Sequence, residues 1–479
     1  MRNPTYFIFI ILIVVFIFLS LPFILNILNF SIPVAHAAKF SPPIIKVSSC
    51  GTLDKPNAVY LLTNDIITND TCFIVKNKKI TLDLNKHSII NNPDIFIPFQ
   101  YGVFASKTDN FIVKNGYIKN FGRGIYVEDS RYSTVSNVEI SSSGDFGDHS
   151  SIFGIYLLNS PNAKIVNNSV KDSKHLTEHG GNLYAIYALN SPNSYIVGNS
   201  AINNTSSPIG GLGRGISVLS SNNSIIDNNK AISNTHSGIF LSDSSGVFVG
   251  NNVMNENDIG LELIASKNII KNNVFNGNRI GVLFSYSSDN ELADSFILNS
   301  KEYGIYIFTF SENNKIINSI IEKSGQNGIV ISSPRSVFKN VSVKNTGYYD
   351  LNADTQAGNN NINQTSVVDS YFSSYSISEP GGTFLFKNSA FGEISFLEPI
   401  SGFGTFNDDI IIKKNNASIN SEFNQGVNKS AQITLTRLSI INKPTILRNG
   451  KRCDECALIS YTQNKAIFKV SGEGSYSVA

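Results

Sequence analysis

A short pattern of glycine followed by alternating apolar and variable residues recurs along the middle of the chain. The first and third residues after the glycine are apolar, as in Gly124-Ile-Tyr-Val and Gly260-Leu-Glu-Leu. Period-two alternation is typical of a β-strand with one buried face, and no helical period of useful length competes with it. The pattern begins at Gly102, Gly124, Gly154, Gly215, Gly238, Gly260, Gly281, Gly304 and Gly328, with Ala185 as a variant.

The spacing of these strands predicts the fold. Successive copies are 21 to 24 residues apart, apart from three intervals of 30 or 31. A unit of this length cannot bury its apolar side chains alone, but turns stacked about 4.8 Å apart can. Asparagine pairs such as Asn228-Asn229 close the intervening strands and suit hydrogen bonding between equivalent corners. We therefore predict an all-β protein, a right-handed parallel β-helix with turns of about 22 residues and a small C-terminal β domain.

The first residues have the three parts of a secretory signal peptide. Arg2 precedes an apolar run from Tyr6 to Phe30, and Ala35-His36-Ala37 forms a small-residue cleavage site. We expect cleavage after Ala37 and a secreted or cell-surface protein. The run is also long enough to span a bilayer, so an uncleaved anchor stays open, and contact with a membrane is expected only in that case.

Composition narrows the class of partner. Charged residues make up 15% of the chain and the net charge is +2, so no basic field is available for nucleic acid. Four cysteines in an exported chain favour disulfides, and we favour the two local pairs, Cys50–Cys72 and Cys453–Cys456. After the predicted signal peptide, nine Asn-x-Ser/Thr sequences are candidate glycosylation sites.

The changes in pattern along the chain predict five segments. They are residues 1–37, the signal peptide; 38–100, an N-terminal cap with the first turns; 101–345, the regular β-helix; 346–426, irregular turns; and 427–479, a β module with a C-x-x-C sequence. The cap and the module would each cover an open end of the β-helix, where unpaired strand edges promote aggregation.

Several stretches resemble a known group of proteins. Leu82-Asp-Leu-Asn-Lys-His-Ser-Ile89, Ile112-Val-Lys-Asn-Gly-Tyr-Ile118 and the glycine phrases are similar to exported right-handed parallel β-helix proteins, the NosD-like and pectin-lyase-like superfamily. The tail resembles the terminal β module of archaeal-type surface proteins. This resemblance implies the fold and extracytoplasmic location, but these motifs say little about activity. A NosD-like role in copper handling would require more Met, Cys and His than this chain has.

The three long intervals predict a group of loops at one corner. The additional residues, within 141–152, 172–183 and 206–214, precede the glycine strand each time and so should stack as a wall. Three of the six histidines, His149, His175 and His179, fall there. Hydrated surface loops, a divalent-metal site and an acid–base pair all stay open. The metal candidates are Asp145, His175, Glu178 and His179, the last two histidines at a spacing that one helical face would bring together; the catalytic candidates are Asp148, His149, His175 and His179.

The variable position of the phrase predicts an aromatic column. Phe104, Tyr126, Tyr156 and Tyr187 should point outward on four neighbouring turns and form a flat strip for the apolar faces of sugar rings. Arg123 and Arg214 would hold hydroxyl or carboxylate groups beside it. Burial of the strip beneath the loops is the alternative interpretation.

Three functions are consistent with these features. The first is a secreted or cell-surface protein that binds polysaccharide through the aromatic strip and the loops, as an adhesin or envelope component. The second is a polysaccharide-active lyase, epimerase or glycosidase that uses the Asp and His residues of the loops. Against it, the repeats contain no polygalacturonase-type carboxylate pair. The third is a structural spacer.

Overall fold

The computed structural model describes residues 41–92, 100–144, 151–175, 180–206, 210–354, 362–422 and 424–479. The predicted signal peptide lies outside these ranges, so its cleavage stays a prediction. Residues Pro43–Ala479 form one compact unit. A search of the described residues finds no helix with the length and apolar character needed to cross a membrane.

The unit is a right-handed parallel β-helix, as predicted, and its strands form three ladders along the axis. Ladder one contains the glycine phrases, and within the described residues it has 15 strands, all parallel except the last. Its strands are Gly51–Leu53, Phe73–Val75, Tyr101–Ser106, Arg123–Glu128, Ile152–Leu158, Leu183–Leu189, Gly213–Leu219, Ser237–Ser242, Ile259–Ile264, Ile280–Phe284, Tyr303–Ile307, Ile329–Ile331, Leu351–Ala353, Tyr375–Gly382 and Ile400–Gly404.

Ladders two and three follow ladder one in each turn. Two long strands, Ile112–Lys119 and Thr134–Ser141, belong to both ladders. The other parallel strands of ladder two are Ile44–Val47, Val59–Leu62, Thr81–Asp83, Lys164–Val166, Tyr195–Val197, Ile225–Asp227, Phe248–Gly250, Ile269–Lys271, Glu291–Ala293, Lys315–Ile317, Val337–Lys339, Thr365–Val368 and Phe384–Asn388. Those of ladder three are Ile66–Thr68, Ser88–Asn91, Ser169–Lys171, Ser200–Ile202, Lys230–Ile232, Val253–Asn255, Val274–Asn276, Phe296–Leu298, Ile320–Glu322 and Ser342–Lys344.

Close approach between turns explains the repeated glycine. A Cβ atom added to Gly260 would lie 2.5 Å from the carbonyl oxygen of Gly281, and one on Gly281 would lie 2.5 Å from that of Gly304. A side chain at this position would force neighbouring turns apart. The glycine therefore keeps the strands of ladder one in register at the point where the chain enters them.

Buried asparagines connect the turns at the corners, as the sequence predicts. Asn229 donates from Nδ2 to the Ile196 carbonyl oxygen at 2.8 Å and to Asn252 Oδ1 at 3.0 Å, and its own Oδ1 accepts from Asn199. Every polar atom of this side chain is thereby satisfied away from water. The longest such stack contains Asn168, Asn199, Asn229, Asn252 and Asn273.

Both local disulfides favoured by the sequence are present. Cys50–Cys72 joins the first two turns next to the Gly51–Phe73 strand pair, and Cys453–Cys456 closes a short loop in the C-terminal part. The described cysteines are therefore all paired.

Strand pairing in the C-terminal part crosses residue 426. Strand Gly392–Phe396, assigned from sequence to the irregular turns, pairs antiparallel with Ala431–Thr436 of the predicted module, and Asn416–Ile419 pairs with Gly474–Val478. Hydrogen bonding thus runs across the boundary at 426. The sequence does not reveal this pairing, because antiparallel partners that are far apart in the chain leave no local signal.

Two antiparallel sheets make up this part. One extends ladder two through Gly392–Phe396, Ala431–Thr436, Lys465–Val470 and Ala457–Thr462. The other contains Ile410–Lys413, Asn416–Ile419, Gly474–Val478, Ile446–Arg448 and Lys451–Arg452. A helix at Phe406–Asp409 and a 3-10 turn at Gln425–Val427 connect these strands.

Candidate functional site

The predicted aromatic column lies on the outer face of ladder one. Strand pairing aligns Phe104 with Tyr126, Tyr126 with Tyr156, and Tyr156 with Tyr187. The ring centroids are 4.8 Å apart between Tyr126 and Tyr156 and 4.9 Å apart between Tyr156 and Tyr187. These distances equal the spacing of neighbouring strands, so the backbone sets the ring spacing.

A second column of rings, which sequence reasoning missed, runs beside the first. Tyr101, Phe153 and Tyr184 each precede the glycine position, and they are aligned through Arg123 at the second turn. In these strands two successive residues are buried at the glycine, so alternation is interrupted and the preceding residue also faces outward. The available signal was an aromatic or arginine residue immediately before the glycine position in five successive copies. We call these seven rings the aromatic field: Tyr101, Phe104, Tyr126, Phe153, Tyr156, Tyr184 and Tyr187.

The ring planes of the aromatic field are not all parallel to one another, in contrast to the predicted flat strip. Tyr156 and Tyr187 stack at an interplanar angle of 24°, and Phe153 and Tyr184 stack at 9°. Tyr126 meets Tyr156 edge-on at 84°. The rings are therefore stacked on the turns of Phe153 and Tyr184 and tilted on the turns that precede them. Both arrangements occur because edge-to-face contacts between neighbouring rings are as favourable as stacking.

Burial differs between the middle and the edges of the field. Phe153 and Tyr156 are buried, whereas Tyr101, Phe104, Tyr126, Tyr184 and Tyr187 are half-buried and keep exposed surface. Burial raises the pKa of the Tyr156 phenol well above its usual value, and it raises the pKa of the Tyr187 phenol to about 12. The phenols are therefore neutral at physiological pH, and five rings keep apolar surface for a ligand.

Arg123 lies over the first rings of the field. Its guanidinium carbon is 5.2 Å from the Tyr101 ring centroid and 5.5 Å from that of Tyr126, and Nη1 donates to the Tyr101 hydroxyl. These are cation–π distances, so part of this arginine packs as a flat group on the field.

A cluster of polar side chains follows the field on the next three turns. Arg214 lies with its guanidinium carbon 3.6 Å from the Phe240 ring centroid and donates from Nη2 to Glu262 Oε2 at 3.4 Å. Ser237 Oγ donates to the same carboxylate oxygen. His236 Nδ1 is 2.7 Å from Ser237 Oγ and 3.5 Å from Glu262 Oε2. We call Arg214, His236, Ser237 and Glu262 the charged cluster.

Desolvation dominates the electrostatics of the charged cluster. It lowers the pKa of His236, because burial disfavours the imidazolium, and the opposing attraction of Glu262 does not reverse this. The imidazole is therefore neutral near pH 7 and presents one donor and one acceptor nitrogen. Sequence reasoning singled out Arg214 alone of this cluster.

Among the described residues, two buried polar atoms lack a hydrogen-bond partner where the aromatic field and the charged cluster meet. They are Arg214 Nε and Ser217 Oγ, and Ser217 is fully buried. Strand pairing places these residues directly after Tyr184 and Tyr187, respectively. Because both atoms are closed off from solvent, a ligand on the surface of the field does not reach them in this conformation.

The described parts of the long loops lie at one corner, as predicted. Ser143 pairs with Lys174, and Lys174 with Thr205, so the three insertions leave the stack at neighbouring positions. His175 lies on the short strand Lys174–His175 with its side chain buried. The hypothesis that His175 and His179 share a helical face stays a prediction, because residues 176–179 lie outside the described residues. The predicted residues Asp145, Asp148, His149, Glu178 and His179 lie outside the described residues.

The same corner carries a groove on the following turns. Arg279 donates from Nε to Asp258 Oδ1 at 2.6 Å and from Nη1 to Glu302 Oε2 at 2.8 Å, which raises its pKa. The groove has a volume of about 650 Å³, and Thr235 and Gln326 are among the residues that line it. Its polar lining is not evident from the sequence, because the three ionic partners lie on three different turns.

The described residues do not fit a copper or zinc site. They include no group of three or more His, Cys, Asp or Glu side chains placed to hold a metal ion. Both cysteine pairs form disulfides, and Met254 is fully buried in the core. A thiolate or thioether site is therefore absent from the described part of the chain.

Two family models match the chain. Residues 205–377 match the model described as periplasmic copper-binding protein (NosD), and residues 53–207 match the model of the right-handed beta helix region. No curated protein sequence matches.

Solved structures with a similar backbone fold include those of three proteins. The periplasmic alginate epimerase AlgG is 14% identical, with a TM-score of 0.41 and coverage of 72% of this chain and 84% of that one. The catalytic unit of a GH87 alpha-1,3-glucanase from Streptomyces thermodiastaticus is 12% identical, with a TM-score of 0.43 and coverage of 68% and 63%. A mutant tailspike protein of E. coli bacteriophage HK620 is 9% identical, with a TM-score of 0.43 and coverage of 91% and 85%.

Proposed function

We propose that this right-handed parallel β-helix protein, which is NosD-like and pectin-lyase-like in its repeats, binds polysaccharide outside the cytoplasm. The aromatic field supports this proposal most directly. Seven rings lie on four successive turns of one sheet face, and five of them keep exposed surface. A rigid row of half-exposed rings offers apolar surface at low entropic cost to the flat faces of linked sugar rings.

The polar groups beside the field supply hydrogen bonding. Arg123 is half-buried over Tyr101 and Tyr126, and Tyr184 and Tyr187 keep exposed surface. Sugar hydroxyl or carboxylate groups would bond to this guanidinium and to the tyrosine hydroxyls. A polysaccharide lying along the β-helix axis would then meet rings first and charged side chains next.

The disulfides support the proposed location. Cys50–Cys72 and Cys453–Cys456 persist in oxidising surroundings and are rare in cytosolic proteins. We propose that the mature chain begins at Ala38, is secreted or held at the cell surface, and acts there as an adhesin or envelope component. The stacked loops at residues 141–152, 172–183 and 206–214 would border the bound glycan on one side.

The test is retention of residues 38–479 on a panel of neutral and uronate polysaccharides, with and without a chelator. We expect retention of the parent protein and a loss of about 2 kcal/mol, or about thirtyfold in Kd, for Tyr126→Ala with Tyr187→Ala. Tyr195→Ala is the matched control, because Tyr195 is an exposed tyrosine on ladder two, away from the field. Equal retention of the double variant and the control would contradict the proposal.

The charged cluster favours an enzyme as the second candidate function. Glu262 and His236 both contact Ser237 next to the field, and a carboxylate and an imidazole are groups that general acid–base catalysis uses. The loop residues Asp148, His149, His175 and His179 are the alternative reaction centre. Release of reducing or unsaturated ends from a retained glycan would establish catalysis. Its loss in Glu262→Gln, against its loss in His149→Ala with His179→Ala, would then decide between the two centres.

A further inference from the structure

Two aromatic side chains on successive turns are strongly exposed and stacked on each other. Tyr286 and Phe310 are 60% and 65% exposed, and their ring centroids are 5.5 Å apart at an interplanar angle of 25°. They lie at the corner that follows ladder one, at the edge of this ladder opposite to the loops. They are therefore separate from the aromatic field.

The backbone at both residues is in a conformation that large side chains rarely adopt. Tyr286 has φ of 49° and Phe310 has φ of 57°. Left-handed backbone is tolerated by Asn and Asp but is an outlier for bulky residues. Each residue directly precedes a corner serine, Ser287 or Ser311, whose hydroxyl takes part in hydrogen bonds between turns.

Earlier turns occupy the same position with small polar residues. The residue before the corner serine has φ between 47° and 49° on each of these turns. These residues are Asp129, Asn159, Asn190, Ser220 and Asp243. The corner therefore suits residues that tolerate left-handed backbone. Tyr286 and Phe310 occupy it at a cost in backbone strain. Retained strain of this kind points to a role in function.

The size of the ring pair selects the kind of ligand. Two aromatic side chains with this exposure offer on the order of 250 Å². A stable protein partner needs about 800 Å² on each side. A flat unit of the size of one or two sugar rings matches the available area, whereas a docked protein or a second copy of this chain does not.

Polar groups surround the rings. Glu312, two residues after Phe310, forms an ion pair with Arg335. The backbone N–H of Glu312 donates to Ser288 Oγ at 3.0 Å. The hydroxyls of Ser285 and Thr309 directly precede the two rings in sequence. An apolar platform with hydroxyl and charged groups at its rim suits a ligand with an apolar face and a polar edge, as a pyranose has.

We propose that Tyr286 and Phe310 form a second glycan-binding platform, which takes a sugar ring of the same polysaccharide that the aromatic field binds. This inference rests on the proposed function. The platform begins five turns after the turn of Phe153 and Tyr156 in the middle of the field, or about 24 Å along the axis at about 4.8 Å per turn. One polymer chain can engage both surfaces of the rod, whereas a short oligosaccharide engages one at a time. The second contact is then intramolecular and raises the avidity for polymer.

The experiment compares polymer with a short oligosaccharide of the same repeat, using residues 38–479. Tyr286→Asn with Phe310→Asn removes both rings and places a residue suited to left-handed backbone at each position. We expect a melting temperature equal to or above that of the parent, polymer retention weakened by about tenfold or more, and a change of less than about twofold for the oligosaccharide bound at the field. The matched control is Tyr132→Asn, because Tyr132 has φ of 60° and is 54% exposed, away from the platform.

The outcomes separate this inference from the proposed function. Polymer retention that is equal in the platform variant and in Tyr132→Asn overturns the platform, whatever the field does. Retention that falls in the platform variant but not in Tyr126→Ala with Tyr187→Ala supports the platform and overturns the field. Absence of retention by the parent protein across the panel overturns both.

Discussion

The buried asparagine stack and the aromatic field are both columns of similar residues on successive turns, yet they serve different ends. Each asparagine from Asn199 to Asn252 has its side-chain atoms paired with the turn above or below, away from water. Five of the seven rings of the field instead keep exposed surface, and the rings meet at angles from 9° to 84°. Repetition along the rod is thus no evidence of function by itself.

The two columns differ in how much of each side chain is already in contact within the fold. A column whose polar atoms are all paired stabilises the stack and has nothing left to offer a ligand. A column with exposed apolar surface has binding capacity that the fold does not use. The following predictions use this difference, from the largest expected effect on stability to the smallest.

Substitution of one inner asparagine should have the largest effect. In Asn229→Ala the Asn199 backbone N–H and the Ile196 carbonyl lose their buried partner, which we expect to cost about 3 kcal/mol. The midpoint of guanidinium denaturation measures it. Glycan retention by the folded protein should not change, because Asn229 faces the interior.

Asn228→Gly is the matched control for this substitution. Asn228 is exposed and has φ of 52°, which glycine adopts without strain, so we expect a change within about 0.5 kcal/mol. If both variants unfold at the same midpoint, the stack does not stabilise the β-helix as argued.

Removal of one ring of the field should weaken glycan binding more than it destabilises the fold. Tyr187→Ala exposes a half-buried site, and we expect a loss of only about 1 kcal/mol of stability. Its effect on glycan retention should exceed its effect on the denaturation midpoint. A stability loss as large as that of Asn229→Ala, with retention unaltered, would mean that the field is packing and not a binding surface.

Alkaline titration should show the smallest effect. Burial raises the pKa of Tyr187 from 10.0 to about 12, so the folded state holds this proton more tightly than the unfolded state. The associated stabilisation is complete below pH 10 and is lost as the pH rises towards 12. Tyrosinate absorbance of the parent and of Tyr187→Phe should differ by a component that titrates near pH 12. A component near pH 10 instead would mean that Tyr187 is fully hydrated.

Particular residues explain which parts of the site could be predicted. Tyr126, Tyr156 and Tyr187 followed from period-two alternation together with the repeat, because side-chain direction along a regular strand is a local property. Tyr101, Phe153 and Tyr184 did not, since the strand departs from alternation at the glycine. Arg214 and Glu262 are 48 residues apart and meet only through the stacking of turns.

The sequence by itself determined that the chain stacks into a β-helix, that cysteine pairs are local, and that one column of aromatic residues faces outward. These properties depend on periodicity and on glycine, which act within a turn or between equivalent positions. Only the tertiary structure decided that Glu262, His236 and Arg214 share one cluster, that Tyr286 and Phe310 stack outside the core, and that the terminal sheet begins before residue 427. The cluster and the terminal sheet join residues at non-equivalent positions, so their distances depend on how turns of unequal length superpose. Tyr286 and Phe310 each precede a corner serine, but only the stacking of turns brings their exposed rings together.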